Sequence, residues 1–501
     1  MKNINDRYVI FSIVLFVFLF LSVTQTLTSG YHFIDDHEII RIKHDLNEET
    51  LMKVAKAWVK EDMTATVRFR PLYIVHRVLE TWLFGSDFFL WSLYNGLLWC
   101  VTLIFFYLGV RNLRFNITES VIFLVISFIG PQTEIWWRLG PQESLGVTFL
   151  SLSFYFLSVS VNGIRYHINN ILYIIFIILA SLCKESFILI IPAFIVLKIW
   201  YEKVHLPGSL KEALLKNGIL LIPLTVALLE IIYIKYYVGT YYSGVNDETK
   251  VVINNIWHAC LSFIRTYLNL VIAGIILLII SRIIKKRVHR IDFLPFIFFA
   301  LIIIPNIFLY ARSGLTGRYL LPTSIGLAFF IAASIKEIDV NPLWYKETVY
   351  GVILVSFLLF LIDGVKDAVI FSKEGRETSS LLSAISANHG TGKEALLIAN
   401  PVDSYEASVS LKIYLYCEDG IDLYGYCIID EKENADVQEY VDGWKSYFSG
   451  KLYENLESRP ELVIFLNSQL VEKFFDNGPL VSGDYEAVES GSYTYSLLKA
   501  K

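Results

Sequence analysis

Three carboxylates stand within four residues at Asp35-Asp36-His37-Glu38, a few positions past the end of a long apolar run. Cationic side chains recur in other polar segments, at Arg68 and Arg70, at Arg138, at Lys184, and at Arg312 and Arg318. A carboxylate can take the proton from an attacking hydroxyl, and guanidinium or ammonium groups can stabilise a departing phosphate. Together they are the groups that glycosyl transfer from a lipid-phosphate sugar requires. Adjacent acids also let one act as base while its neighbour positions the acceptor or ligates a divalent cation. An acidic loop start is by itself a solvated stub, so the case depends on what brings the cations to it.

The positioning elements are membrane helices. Of 501 residues 55% are hydrophobic and only 18% charged, and the mean hydropathy is +0.52, outside the range of ordinary soluble domains. A net charge of -5 gives no support for a nucleic-acid partner. After Lys2 and Arg7, the apolar run Tyr8 to Leu27 reads as an uncleaved first span. Further runs of spanning length centre near residues 98, 124, 151, 176, 193, 226, 270, 301, 327 and 356, giving about eleven helices. With the N-terminus cytoplasmic, the inner loops hold Arg111 and Arg114, Arg165, Lys203 with Lys211 and Lys216, the basic stretch 282–290, and Lys336 with Lys346, a positive-inside pattern. Residues 30–87, 131–141, the turn at Lys184, 237–257, 311–319 and everything after about 366 then lie outside.

This topology gathers the acidic cluster, Glu134, Arg138, Glu143, Lys184, Glu185, Arg312, Arg318 and Tyr319 on one face, where ionisable groups near membrane depth imply a polar site. Lys184-Glu185 reads equally well as a structural ion pair. Within the first external loop, Asp45 to Glu48 resembles a capping box. The apolar residues Leu51, Val54, Ala55, Trp58 and Val59 that follow, with Lys53, Lys56 and Lys60 between them, predict a helix lying in the interface. Residues 366–501 change character: Ala395 to Ala399 and Leu462 to Leu466 read as strands, and Tyr485 to Glu489 with Tyr493 to Leu498 as a hairpin about Gly491. The fold class expected is a membrane all-α bundle over 1–365 with an extracytoplasmic mixed α/β domain over 366–501. Gly390-Thr391-Gly392-Lys393 is not a phosphate loop, because Ala387 and Glu394 stand where Gly and Ser or Thr are needed. Cys100, Cys183 and Cys260 read as packing residues, while Cys417 and Cys427 flank a short segment that a disulfide could close.

At these residues the chain resembles the polytopic GT-C glycosyltransferases. Phe33-Ile34-Asp35-Asp36-His37-Glu38 is similar to their acidic motif at the start of the first external loop. Arg70-Pro71-Leu72, then Leu83-Phe84-Gly85 and Trp91-Ser92-Leu93-Tyr94-Asn95, resembles its continuation into the second span, and Lys184-Glu185 before Pro192 a recurrent later segment. The resemblance covers roughly residues 1–335. It implies an inverting transferase with a polyprenyl-phosphate sugar donor, undecaprenyl-phosphate sugar in a bacterial inner membrane. Asp36, Asp35 or Glu38 would be the catalytic acid-base group, and Arg68, Arg70, Arg138, Lys184 and Arg318 would bind the donor phosphate. The acceptor implied is a surface glycan or glycolipid, such as the O-antigen of lipopolysaccharide; serotype-modifying O-antigen glucosyltransferases are similar in size and layout.

Two other readings use the same residues. A lipid or polysaccharide transporter would place its ionisable groups near mid-membrane, whereas these cluster at one face. A membrane acyltransferase, or another enzyme acting on surface glycans, would use a buried His or Ser pair; His32, His37 and His76 are the histidine candidates, though all three also suit interfacial positions.

Overall fold

The computed structural model of the chain describes residues 4–205, 212, 215, 217–239, 249–285, 294–337, 343–389, 394–429, 435–456, 459–477, 479–490 and 495–501. The basic residues Lys211, Lys216 and 286–290, residues 240–248 of the expected loop 237–257, the Gly390–Lys393 stretch and the Gly491 turn fall outside the described residues. Helices come first: α1 (Ile4–Val23), α2 (His37–Glu48), α3 (Leu51–Thr64), α4 (Pro71–Phe84), α5 (Phe88–Asn112), α6 (Ile117–Phe128), α7 (Glu143–Val161), α8 (Tyr166–Ser181), the single turn α9 (Glu185–Ile188), α10 (Ile191–His205), α11 (Leu221–Tyr233), α12 (Thr249–Lys285), α13 (Leu294–Leu309), α14 (Leu321–Glu337) and α15 (Leu343–Asn388). The rest alternates: β1 (Glu394–Ala399), α16 (Pro401–Tyr414), β2 (Asp422–Cys427), α17 (Ala435–Tyr447), β3 (Leu462–Phe465), α18 (Leu470–Asn477), β4 (Tyr485–Ser490) and β5 (Ser496–Ala500).

Each apolar run located from the sequence falls in a helix. Among the described residues, five stretches are long and apolar enough to cross a membrane: Asn5–Val23, Phe88–Asn112, Glu143–Val161, Gly218–Val238 and Gly317–Lys336. The shorter apolar helices α6, α8 and α13 accompany them. The chain is a multi-pass membrane protein.

Two compact units share the chain. One comprises Met1–Thr24, Ala55–His76 and Ser92–Ala368; the other comprises Gln25–Val54, Arg77–Trp91 and Val369–Lys501. In the first, aromatic side chains interlock the spans: Phe106 packs on Phe123, Phe128 and Phe154, and the indoles of Trp99 and Trp136 stack with centroids 5.6 Å apart. Asn116 caps α6, accepting from the Glu119 N–H at 2.9 Å while the Glu119 carboxylate accepts from the Asn116 N–H at 2.7 Å. At the C-terminal end of α5, Arg111 and the Tyr107 hydroxyl both donate to Asp6, at 3.0 and 2.7 Å.

The second unit is built on a five-stranded sheet of order β2-β1-β3-β5-β4, with β1 parallel to β2 and β3, and β5 antiparallel to both β3 and β4. Both sheet faces are covered, so the central strands read as continuous apolar runs. Ala395, Leu397, Leu462 and Ile464 face Trp444, Phe448, Leu411 and Leu415, while Leu396, Ile398, Val463 and Phe465 face Phe474 and Tyr485. Tyr31 and Ile40, from the acidic segment and α2, join the first of these cores. The expected strands and hairpin pairing are present. β2 was not anticipated, and Cys427 ends it as a free thiol, as is Cys417.

The capping-box reading of Asp45 to Glu48 is corrected. Those residues end α2, an amphipathic helix that buries Ile39, Ile40 and Ile42, and the chain turns extended at Glu49 before α3 begins. In α3 the expected face is the buried one, at Val54, Ala55 and Trp58.

Gly425 in β2 sits where a methyl group would strike the Trp444 indole and come within 2.9 Å of the Phe448 ring. Gly425→Ala should therefore destabilise the chain by about 1–3 kcal/mol through overpacking. Thermal melting of the purified protein checks this, and an unshifted melting temperature would contradict it.

Candidate active site

The sequence candidates divide between the two units, and each set has its own geometry. In the first unit the segments before α7, between α8 and α9 and before α14 converge. Lys184, at the turn after α8, makes a hydrogen-bonded ion pair with Glu143 at the start of α7, and both side chains are almost wholly shielded from water, at 1% and 2% exposure. The Arg318 guanidinium lies 3.9 Å from the same Glu143 oxygen. The Lys184 ammonium also stands over the Tyr319 ring, 4.7 Å from its centroid, with Tyr310 stacked behind it at 4.5 Å. Burial pushes the Lys184 ammonium down to about 8, against the raising influence of Glu143 and with the lowering influence of Arg318.

Glu134 fixes the Arg318 segment from below. Its Oε1 accepts the Arg318 backbone N–H at 2.9 Å, and its Oε2 lies 3.3 Å from the Arg138 guanidinium. Gly317 permits this approach: its φ is +51°, and a side chain there would meet the Glu134 carboxylate at 2.8 Å. The structure thus brings Arg138, Lys184 and Arg318 together with Glu134, Glu143 and two tyrosines.

Arg70 is held differently. Its guanidinium forms bonds of 2.8 to 3.1 Å with Asp62 and reaches Gln142 at 3.1 Å, next to Glu143. This buried pair braces the loop before α4, so the Arg70 charge is already matched. Arg68 is half-buried, its N–H donating to the Asp62 carbonyl at 3.2 Å. Lys184 and Glu185 take partners from different segments: Glu185 accepts the Phe69 N–H at 2.7 Å.

In the second unit Asp36 is the buried member of the acidic cluster, at 1% exposure, while Asp35 and Glu38 are half-buried. Asp35 holds a left-handed conformation, φ +70°, which turns the chain into α2. Asp36 Oδ2 accepts the His32 N–H at 2.9 Å. Burial pushes the Asp36 carboxyl up to about 8, opposed by the Arg77 guanidinium and the His32 N–H and reinforced by Asp35 and Glu38. Burial likewise holds the His37 imidazole below its usual value.

Arg77 is not among the site residues expected from the sequence, which places it only in a mixed stretch with His76 and Glu80. It lies on α4 with 1% exposure, its guanidinium 4.8 Å over the Trp91 ring. The amphipathic pattern of α4 hid it, because nothing in the spacing says that this arginine rather than Arg68 opposes the acid. Among the described residues no group of three or more His, Cys, Asp or Glu side chains is arranged to hold a metal ion.

No protein-family model matches the sequence, and no curated protein is similar to it. Solved structures are similar in fold. ArnT from Cupriavidus metallidurans in the apo state superposes with a TM-score of 0.50 at 12% identity, over 96% of this chain and 97% of that one. Its form bound to undecaprenyl phosphate gives a TM-score of 0.48 at 12% identity, over 97% of each chain. The resemblance to polytopic GT-C glycosyltransferases read from the motifs is thereby borne out as a likeness of fold.

Removing one partner of a buried ion pair leaves the other uncompensated. Glu143→Gln should destabilise the protein by about 3–5 kcal/mol, whereas the apolar double replacement Glu143→Leu with Lys184→Met should cost less than the single change. Thermal melts of the three purified proteins give the comparison; a double variant less stable than Glu143→Gln would contradict the reading.

Proposed function

We propose that the chain is an inverting glycosyltransferase that moves a sugar from a polyprenyl-phosphate donor to a hydroxyl of a surface glycan or glycolipid, on the outer face of a bacterial inner membrane. The observation that carries this is Asp36, a carboxyl group outside the apolar helices, buried, held by a backbone N–H and opposed by an arginine. Such a group is poised near neutrality, where an acid-base residue is most effective.

In the reaction, ionised Asp36 takes the proton from the acceptor hydroxyl as its oxygen forms the new bond to the anomeric carbon. The bond from that carbon to the phosphate oxygen breaks, and its electron pair leaves with the polyprenyl phosphate. One displacement inverts the anomeric centre. Lys184, Arg318 and Arg138 are assigned to the departing phosphate, with Arg68 at the headgroup level and Arg70 bracing their loop. Tyr310 and Tyr319 give the Lys184 ammonium an aromatic wall. Asp35 and Glu38 flank the base and orient the acceptor. ArnT, with which the chain shares its fold, has been crystallised with undecaprenyl phosphate, which agrees with a lipid-phosphate donor. About eleven spans with the N-terminus inside and the α/β domain outside complete the arrangement proposed.

Asp36→Asn should lower kcat by about 10²- to 10⁴-fold with the chain still inserted and folded. Transfer from undecaprenyl-phosphate hexoses to membrane glycans, followed by mass, measures it; full activity in Asp35→Asn, Asp36→Asn and the double variant would overturn the proposal.

The pH dependence follows from the two shifted groups. Asp36 accepts a proton only when ionised, so kcat/KM should fall as pH drops below about 8, rather than near the ordinary carboxylate range. Lys184 binds phosphate only when charged, so donor affinity should weaken as pH rises above about 8. A profile flat from pH 6 to 9 would contradict both assignments.

A further inference from the structure

The backbone that presents Asp36 is gripped by residues some 340 positions further along the chain. In the second unit the segment Ser29 to Asp36 lies against the C-terminal part of α15, where Phe371, Gly375 and Ser379 recur every fourth residue and so share one helix face. The His32 ring stacks on Phe371 with centroids 3.6 Å apart and planes 5° off parallel. Gly375 leaves room for it: a side chain there would collide with the His32 imidazole and the Ser29 carbonyl. Ser379 Oγ accepts the Tyr31 N–H at 3.1 Å and fills the space left by Gly30, whose φ of +82° favours glycine. From α16, Ser410 shares a 2.6 Å hydrogen bond with the Tyr31 hydroxyl, and the Tyr414 ring lies 4.9 Å from that of Tyr31.

We propose that Phe371, Gly375 and Ser379 of α15, with Ser410 and Tyr414 of α16, are positioning residues for Asp36. They hold the Ser29–His32 turn so that the His32 N–H stays on the Asp36 carboxylate. The inference rests on the reading of Asp36 as the base, and extends it by making the α/β unit part of the acid-base apparatus. None of these positioning residues touches a reacting atom. They act through the turn, and through the turn on the protonation of one carboxyl group.

The titratable and charged groups around Asp36 are Arg77 of α4, and Asp35, Glu38, His32 and His37 of its own segment, with the Tyr31 hydroxyl nearby. The α15 residues in the grip are uncharged; along that stretch of helix Lys373, Glu374 and Arg376 are exposed, and Lys373 pairs with the half-buried Glu377 at 3.6 Å. Changes at Phe371 or Ser379 therefore alter geometry and solvation at Asp36 without adding or removing charge.

The test is a pH titration of the Asp36 carboxyl band by infrared difference spectroscopy on the full-length purified protein, with Asp36→Asn as the blank. Ser379→Ala keeps the pocket closed but frees the turn, and its midpoint should rise by about half a unit or more as the N–H is lost from the carboxylate. Phe371→Ala opens the pocket to water, and its midpoint should fall by a similar amount. Phe371→Tyr keeps the ring and should restore the original midpoint. With undecaprenyl-phosphate hexoses as donors, kcat should fall about tenfold in Ser379→Ala and Phe371→Ala, with donor KM unchanged. Midpoints that match the wild type in both alanine variants would overturn the inference whatever the activity. An active Asp36→Asn protein would instead overturn the function proposed for Asp36, so the two failures are distinct.

Discussion

A cation withdrawn from water must find its counter-charge within hydrogen-bonding reach, and Lys184 finds it in Glu143. Much of the first unit follows from that need. The turn after α8 has to bring the ammonium to the first residue of α7, and Gly317 has to let the Arg318 segment settle on Glu134. Because Arg318 lies near the same carboxylate, two cations share one buried anion. Tyr310 and Tyr319 stand against the Lys184 ammonium of this group.

Asp36 is governed by the opposite balance. Desolvation outweighs Arg77 and the His32 N–H, so the group lies far from an ordinary carboxylate, while the two acids beside it are only half-buried. Asp35 and Asp36, identical in chemistry, thus differ in burial. The environment is set by the turn preceding Asp36 and by the indole-backed arginine on α4.

How much of this the sequence disclosed depended on the range of the interactions. Spanning runs need only local apolar length, so each became a helix where it was expected, and β1, β3 and the final hairpin followed from short apolar runs. β2 escaped because Asp-Leu-Tyr-Gly-Tyr-Cys carries a glycine that reads as a turn, and the reason for that glycine is the Trp444 ring from a helix not yet reached in the chain. The start of α3 was misjudged because α2, amphipathic in its own right, occupied the supposed cap. The convergence of Arg138, Lys184 and Arg318 was legible through charge placement, whereas the commitment of Arg70 to Asp62 was not, since eight residues of sequence separation say nothing of a bend. Phe371, Gly375 and Ser379 carry no chemical signal at all, and only the fold associates them with the turn at His32.

The bond between Tyr31 and Ser410 spans 379 residues of sequence, and that separation has a consequence in time. At ribosomal speeds of about 5–20 residues per second, Ser410 is made roughly 20–80 s after Tyr31. Until then the turn before Asp36 has no seat, and the intervening helices are still entering the membrane. The nascent protein therefore carries its acid from the first seconds of synthesis but acquires the setting that tunes it among the last, so a chain stalled or clipped before α16 would sit in the bilayer with that carboxyl group still in an untuned state.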